Sequence, residues 1–249
     1  MEAARTAAMR GHEVALWEKK EKLGGQLLLA AVAPHKEVIS NLNKYMVVQL
    51  KKAGVQVLLR HEVTAESVKA TGPEVVVLAT GSTPFVPDIR GSRRANFVLA
   101  LDVLAGKEEV GNRVVIIGGE LIGCETADYL AQKGKTVTIM RRGPDIAVGV
   151  NQQARDNLLA RLRKNRVTML TGVTYEEITD KGLVITDKEG QRQNIQADTI
   201  VLATGATSNT ELATELAGQN VALHLIGDCV TPAKIADAIR DGARVGREI

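Results

Sequence analysis

The sequence predicts an α/β fold with two nucleotide-binding units of the βαβ type, and three observations support this prediction. Residues 113–142 run in the order β-branched strand, glycine-rich corner, helix and second strand. Two strands end in the same tripeptide, Ala-Thr-Gly, at residues 79–81 and 203–205, which indicates a repeated unit. A helix at 2–10 and a strand at 12–17 resemble the inner part of another such unit.

The central βαβ unit carries the clearest functional signal. Its strand at 114–117 meets a glycine corner, the apolar spacing then becomes helical until Gly134, and a second strand follows at 136–140. In such a unit the helix N-terminus directs unpaired N–H groups at the carboxyl edge of the strand, where they bind a pyrophosphate. We therefore expect a dinucleotide site here, and the alternative is a bare α/β packing corner. The expected contributors are Gly118, Gly119, Glu120, Ile122 and Gly123.

The glycine corner departs from the dinucleotide-binding fingerprint at one position. Counted from Gly118, the pattern needs glycines at 118, 120 and 123, but position 120 is Glu120. A carboxylate at this point adds bulk and like charge beside a diphosphate. We expect it to weaken binding, unless Gly119 lets the loop turn Glu120 outward.

The second strand of the central unit ends in Arg141 and Arg142, where an NAD site would place an acidic residue. Arginine matches the 2′-phosphate of NADPH through charge-assisted, often bidentate contacts. The sequence therefore favours NADPH over NADH, and the alternative is a solvated basic turn.

The composition excludes several classes of protein. A net charge of +3 gives no reason to expect nucleic acid or a membrane surface as partner, and an aromatic content of 2% leaves few platforms for stacking bases. The apolar runs are too short to span a membrane, and no export signal opens the chain, so we expect a cytoplasmic protein. Cys124 and Cys229 form no pair motif, which argues against a redox disulfide or a metal site.

The first unit is expected to be incomplete. Glu18 closes the strand at 12–17, in the position of the acidic residue that binds ribose. The helix at 2–10 should follow a strand and a glycine loop, but the chain begins where that helix is already under way. We expect the first unit to lack its opening strand and its glycine loop, and therefore not to hold FAD in the normal way.

The remaining segments follow from periodicity and from glycine and proline breaks. Gly24 and Gly25 form a turn that either is ordinary or admits a ligand close to the backbone. The expected helices are 38–53, 99–106, 152–164 and 233–247, with Pro232 in the first turn of the last. The expected strands are 55–59, 74–80, 167–170, 199–203 and 222–226, with an antiparallel meander at 173–178, 183–186 and 192–195.

These motifs together resemble a known family. They are Glu18 with Gly24-Gly25-Gln26-Leu27, the two Ala-Thr-Gly strand ends, the corner Gly-Gly-Glu-Leu-Ile-Gly-Cys-Glu, and Gly227-Asp228-Cys229 with the following helix. The chain is similar throughout to the FAD/NAD(P)-binding half of the NADH:flavin oxidoreductases, which include 2,4-dienoyl-CoA reductase, enoate reductase and trimethylamine dehydrogenase. The resemblance implies two Rossmann-like, glutathione-reductase-like domains, with FAD-binding parts at 1–107 and 208–249 and an NAD(P)-binding domain at 108–207.

The resemblance also implies roles for individual residues. Glu18 would bind the adenosine ribose of FAD, Gly25 and Gln26 would line the flavin path, and Val63 would offer its backbone to adenine. Asp228, after Gly227, would accept a hydrogen bond from the ribityl chain, and the alternative is a helix cap. Glu125 would face the nicotinamide, and the alternative is a surface carboxylate. The strand ends complete the expected set: Ala79, Thr80, Gly81, Ala203, Thr204 and Gly205.

The family pattern is only partly present in this chain. The FMN barrel and the iron–sulfur cysteines of the intact family are absent, so no substrate-catalytic residue and no metal ligand is expected here. The chain would pass electrons from NAD(P)H to FAD, with an FMN/iron–sulfur barrel domain as its partner. The alternative is a non-catalytic nucleotide-binding scaffold. An incomplete sheet would also permit a homo-oligomer.

Overall fold

The structure is a computed structural model that describes residues 1–249. The helices are α1 (Glu2–Met9), α2 (Gln26–Ala30), α3 (Glu37–Lys52), α4 (Ala65–Thr71), α5 (Ala100–Leu104), α6 (Leu121–Gln132), α7 (Gln152–Lys164), α8 (Glu211–Leu216) and α9 (Ile235–Glu248). The strands are β1 (Ala15–Glu18), β2 (Gln56–Leu59), β3 (Val75–Leu78), β4 (Ser82–Pro84), β5 (Phe97–Leu99), β6 (Arg113–Ile117), β7 (Thr136–Arg141), β8 (Thr168–Thr171), β9 (Thr174–Thr179), β10 (Gly182–Thr186), β11 (Arg192–Gln196), β12 (Thr199–Leu202), β13 (Ala206–Ser208) and β14 (Ala222–Leu225).

The chain divides into two compact units. Unit 1 contains Met1–Ala31, Glu37–Thr83 and Ala206–Ile249, and unit 2 contains Val32–Lys36 and Pro84–Gly205. Unit 1 is therefore discontinuous in sequence, with most of unit 2 inserted into it. The assignment of FAD and NAD(P) domains with boundaries at 107 and 207 remains a prediction.

Unit 2 is built on a parallel five-stranded sheet in the order β5-β12-β6-β7-β8. Side chains of β6 alternate between its two faces. Val114 and Ile116 pack with α5, α6 and α7, whereas Val115 and Ile117 pack against the β11-β10-β9 meander. Because both faces are covered, the central strands are continuous apolar runs, as the sequence indicates.

Unit 1 contains two separate parallel ribbons, β1-β2 and β14-β3, and the short pair β13-β4. Strands β1 and β3 share no partner strand within residues 1–249. Helices α1 and α9 pack closely, because a Cβ on Gly246 would lie 2.7 Å from the carbonyl oxygen of Ala3.

The predicted helices and strands are present, with ends that differ by a few residues. Pro232 is an exception, because α9 begins at Ile235 and the proline precedes the helix instead of occupying its first turn. Helices α2, α4 and α8 were not anticipated. Thr64 caps α4 in a reciprocal pair with Ser67, a residue that the usual Glu/Gln capping signature does not include. None of the helices combines the length and the apolar character that crossing a membrane requires.

Candidate functional site

The glycine corner of unit 2 packs tightly where β6, β7 and β12 end. Gly118 has φ +121° and its N–H donates to Met140 O at 2.9 Å. A Cβ on Gly118 would lie 2.3 Å from Ala203 O, and one on Gly123 would lie 1.9 Å from Gly118 O. Both positions therefore exclude any side chain, and Gly123 allows α6 to approach the strand as the third fingerprint glycine does.

Gly119 supports the loop that follows β7. A Cβ on Gly119 would lie 2.7 Å from Ile146 Cδ1, and Gly119 O accepts a hydrogen bond from Ala147 N at 2.7 Å. Ala147 is buried and has φ +56°, a left-handed conformation that costs an alanine energy. Residues 143–149, which we call the corner loop, are thus held against the glycine corner. Ile122, predicted at the site, is 43% exposed on the first turn of α6.

Glu120 does not project freely toward the corner. Its φ of −88° is accessible to any residue, so the backbone does not require glycine at this position. Its Oε1 lies 2.6 Å from Nη2 of Arg141, and its Oε2 accepts a hydrogen bond from Gly149 N at 3.1 Å. The carboxylate is consequently neutralised by one of the two predicted phosphate-binding arginines.

A cavity of about 360 Å³ opens at this corner, entirely within unit 2. Arg142 is exposed, and its guanidinium lies 5.2 Å from the centre of the Tyr175 ring, a cation–π contact. Tyr175 donates to Met140 O at 3.0 Å, and burial raises the pKa of its phenol to about 12. The cavity is lined by Phe85, Pro87, Gly118, Gly119, Glu120, Arg141, Arg142, Gly143, Tyr175, Ala203, Thr204 and Gly205.

The two Ala-Thr-Gly segments make equivalent contacts, each within its own unit. After β12, the Thr204 hydroxyl donates to Phe85 O at 2.8 Å. After β3, the Thr80 hydroxyl donates to Asn209 O at 2.7 Å, and Gly81 O accepts from Asn209 N. Ala79 is the residue directly after β3, and Ala203 is the residue directly after β12. In each unit, the threonine of the tripeptide therefore hydrogen-bonds the segment after the strand to a neighbouring segment.

Glu125 is a buried carboxylate on α6, with 9% of its surface exposed. Its Oε1 lies 3.0 Å from Nζ of Lys36, which belongs to the 32–36 segment of unit 2. Burial raises the pKa of Glu125, and the Lys36 ammonium acts in the opposite direction. Glu125 is therefore not a surface carboxylate, and its contact with the nicotinamide stays a prediction.

Nearby on α6, Asp128 is fully buried and satisfied. It pairs with Arg161 of α7 at 2.8 Å and accepts hydrogen bonds from Asn165 at 3.0 Å and Gln132 at 3.1 Å. This network joins α6 to the C-terminal part of α7 and its role is structural.

In unit 1 the predicted flavin residues form a polar cluster. Asp228 Oδ2 accepts from Gln26 Nε2 at 3.2 Å and from the Ser82 hydroxyl at 3.3 Å. Its Oδ1 accepts from Ala233 N at 3.1 Å, so Asp228 also supports the turn before α9. Asp228 is thus not the cap of α9, whose N-cap is Lys234, and its hydrogen bond with the ribityl chain stays a prediction.

The other predicted FAD-binding residues lie at loop positions of unit 1. Gly25 has φ +53° and open space where a Cβ would project, which fits close approach by a cofactor. Glu18 ends β1 and accepts from Lys20 N at 2.9 Å. Val63 packs beside Val68, and Gly227 N donates to Asp241 at 3.2 Å.

Both cysteines are free and buried, as the sequence predicts. Burial raises the pKa of the Cys124 thiol to about 12, so it is protonated and unreactive at neutral pH. No group of His, Cys, Asp or Glu could hold a metal ion. A larger cavity of about 610 Å³ adjoins α3 and β2, but none of the predicted site residues lines it.

Sequence reasoning missed three residues of these sites. Ser82, Lys36 and Tyr175 are brought to Asp228, Glu125 and Arg142, respectively, from distant segments. Ser82 follows the first Ala-Thr-Gly directly, and this position is the one signal that could have identified it.

The sequence of this chain is similar to those of known proteins. Residues 1–227 match the pyridine nucleotide-disulphide oxidoreductase family. The chain is 41% identical to an NADH oxidase of Thermoanaerobacter brockii, covering 100% of this chain and 39% of that protein. It is 36% identical to a cinnamate reductase of Clostridium sporogenes, covering 100% of this chain and 37% of that protein.

The fold of this chain is also similar to that of a solved structure. A 2-naphthoyl-CoA reductase in complex with 2-naphthoyl-CoA superposes with a TM-score of 0.97 at 35% identity, covering 100% of this chain and 38% of that one. The chain thus spans about two fifths of the length of these relatives. The family implies FAD and NAD(P)H as cofactors. The close-packed glycine corner fits the dinucleotide, and the open backbone at Gly25 with the Asp228 cluster fits the flavin. The chain belongs to the pyridine nucleotide-disulphide oxidoreductase family and corresponds to the FAD/NAD(P)-binding half of enoate-reductase-like flavin oxidoreductases.

Proposed function

We propose that this chain transfers electrons from NADPH to FAD within a larger flavin oxidoreductase. The observation that carries the proposal is the glycine corner with its cavity of about 360 Å³, bounded by Arg141 and Arg142. The same chain holds the Gln26–Ser82–Asp228 cluster expected for flavin. Bound together, the two cofactors supply hydride transfer from the dihydronicotinamide to the flavin.

In unit 2 the N-terminus of α6 and the Gly118–Gly119 backbone would hold the pyrophosphate. Arg142 is the better placed arginine for a 2′-phosphate, because Arg141 is already paired with Glu120. Stacking on Tyr175 holds the Arg142 guanidinium at the cavity and leaves its N–H groups available as donors. This arrangement supports NADPH as the preferred nicotinamide cofactor.

In unit 1 Glu18 would bind the adenosine ribose of FAD, and the backbone at Val63 would meet the adenine. Gly25 and Gln26 would line the flavin path, and Asp228 would accept from the ribityl chain. The side chain of Asp228 is already oriented by Gln26 and Ser82, so it needs little further ordering when the ribityl chain of FAD binds. The residues of the Ala-Thr-Gly turns would border both cofactor paths.

The activity of the whole protein follows from its relatives. These relatives include a cinnamate reductase and a 2-naphthoyl-CoA reductase solved with 2-naphthoyl-CoA, so an unsaturated acid or its CoA thioester is the proposed substrate class. The reducing centre would be an FMN/iron–sulfur barrel domain that receives electrons from FAD. A cytoplasmic location suits the two free thiols, and the unpaired edges of β1 and β3 would permit a homo-oligomer.

The second candidate is a scaffold that keeps the fold without turnover, which the glutamate at position 120 favours. A visible spectrum of the purified protein, followed by FAD reconstitution and a diaphorase assay, separates the two. We expect flavin-dependent oxidation of NADPH by an artificial acceptor. A colourless protein that cannot be reconstituted and shows no diaphorase activity would establish the scaffold.

A further inference from the structure

We propose that Glu120 is an internal anion that competes with the dinucleotide for Arg141 and thereby limits the preference of the site for NADPH. The inference rests on the proposed function, because it requires that the corner cavity binds the dinucleotide. Glu120, which replaces the second fingerprint glycine, then contributes to the choice between NADPH and NADH.

The ion pair shows what Glu120 does in the absence of nucleotide. One carboxylate oxygen lies 2.6 Å from Arg141 Nη2, and the pair borders the same cavity as Arg142 and the glycine corner. A carboxylate and a phosphate present the same kind of planar or forked acceptor to a guanidinium. Glu120 therefore occupies a donor of Arg141 that a 2′-phosphate would otherwise use, so the carboxylate and the phosphate compete for the same guanidinium.

The exchange is energetically accessible. The side chains of Arg141 and Glu120 are 24% and 48% exposed, so solvent screens the pair and its contribution is small. NADH carries no 2′-phosphate and leaves the pair intact. The effect of Glu120 is thus expected to depend on that phosphate.

Glu120 also restrains the corner loop, and this function must be kept separate from its charge. Its second oxygen accepts from Gly149 N at 3.1 Å, and Arg141 Nη1 donates to Asp145 O on the same loop. Glutamine at position 120 keeps one carbonyl oxygen for Gly149, and it removes the charge together with the acceptor that faces Arg141. Alanine removes the acceptor for Gly149 as well.

The test measures binding of 5′-ADP, 2′,5′-ADP, NADH and NADPH to the full chain by calorimetry. For Glu120→Gln we expect affinity for 2′,5′-ADP and NADPH to rise about fivefold, while 5′-ADP and NADH change less than about twofold. In Glu120→Gln/Arg141→Met the selective gain should disappear. Glu177→Gln is the matched control, because Glu177 pairs with Arg90 at 3.4 Å and does not line the cavity.

Each other outcome has a distinct meaning. Equal gains for all four ligands, or a gain that survives the loss of Arg141, would show that Glu120 acts only through general charge and would overturn the inference. No change in Glu120→Gln would overturn it as well. Wild-type protein that binds none of the four ligands would overturn the proposed function, and the inference with it. A loss of binding in Glu120→Ala alone is expected from a released corner loop.

Discussion

Replacing Gly123 by alanine should damage the glycine corner more than any other single methyl group. The added Cβ would lie 1.9 Å from Gly118 O and 3.3 Å from the Ala203 side chain. A carbon–oxygen contact needs about 3.3 Å, so the added Cβ and the Gly118 oxygen must move apart by roughly 1.4 Å. Since the clashing atom is backbone of the residue that directly follows the central strand β6, we expect a cost near the upper end of the overpacking range, about 3 kcal/mol.

Thermal unfolding and NADPH titration measure this cost. A loss of about 3 kcal/mol should lower the melting temperature by roughly 6 to 12 °C in a chain of this size. NADPH binding should weaken at least about tenfold, because a displaced helix N-terminus no longer faces the pyrophosphate. Gly205→Ala is the matched control at the same cavity. Nothing lies within 4 Å of its Cβ position, so it should keep wild-type stability. A Gly123→Ala protein as stable as Gly205→Ala would refute the reasoning.

Two substitutions and one measurement on the wild-type protein test other parts of the structure. Asp128→Ala should cost about 1 to 3 kcal/mol in urea unfolding, because it removes the buried acceptor of Asn165 and Gln132, while the partly exposed Arg161 can turn to solvent. Lys36→Met should destabilise little at about pH 4 and by about 1 to 2 kcal/mol at about pH 8. Burial raises the pKa of Glu125 above 4.5, so its charged form, present at higher pH, is the one that needs Lys36. Amide hydrogen exchange should be faster in β1 and β3, which have one partner strand each, than in β6, which has two.

Each of these has a clear contrary result. A mild Asp128→Ala phenotype would mean that α6 and α7 are held by apolar packing alone. If the destabilisation by Lys36→Met did not depend on pH, the Lys36–Glu125 ion pair would not be its cause. The same would follow if adding Glu125→Gln did not relieve it. Equal protection in β1, β3 and β6 would show that the unpaired strand edges are covered in solution.

Local patterns in the sequence predicted much of the fold and part of the site. The glycine corner, the antiparallel meander and the role of Gly123 follow from residue types at short spacing, which backbone sterics and strand periodicity determine. The orientation of Glu120 does not follow from spacing, because it depends on the position of Arg141 and on the corner loop. Its φ of −88° shows that the fingerprint glycine is dispensable for the backbone at this point.

Contacts between distant segments could not be predicted in this way. Lys36 reaches Glu125 only because the 32–36 segment joins unit 2 while its neighbours in sequence belong to unit 1. Ser82 joins Asp228 because β3 and β14 are adjacent and parallel, so the segments that follow them meet at one end of the ribbon. Both contacts depend on tertiary topology, which no periodicity in one segment encodes.

Anaerobic mixing of the FAD-supplemented protein with NADPH tests the central claim most directly, with the loss of the oxidised-flavin absorbance as the readout. The account predicts flavin reduction far faster than that of free FAD in buffer, saturable in both NADPH and FAD, and slowed in Gly123→Ala. NADPH that binds at the corner cavity while the flavin is reduced no faster than in buffer would contradict it.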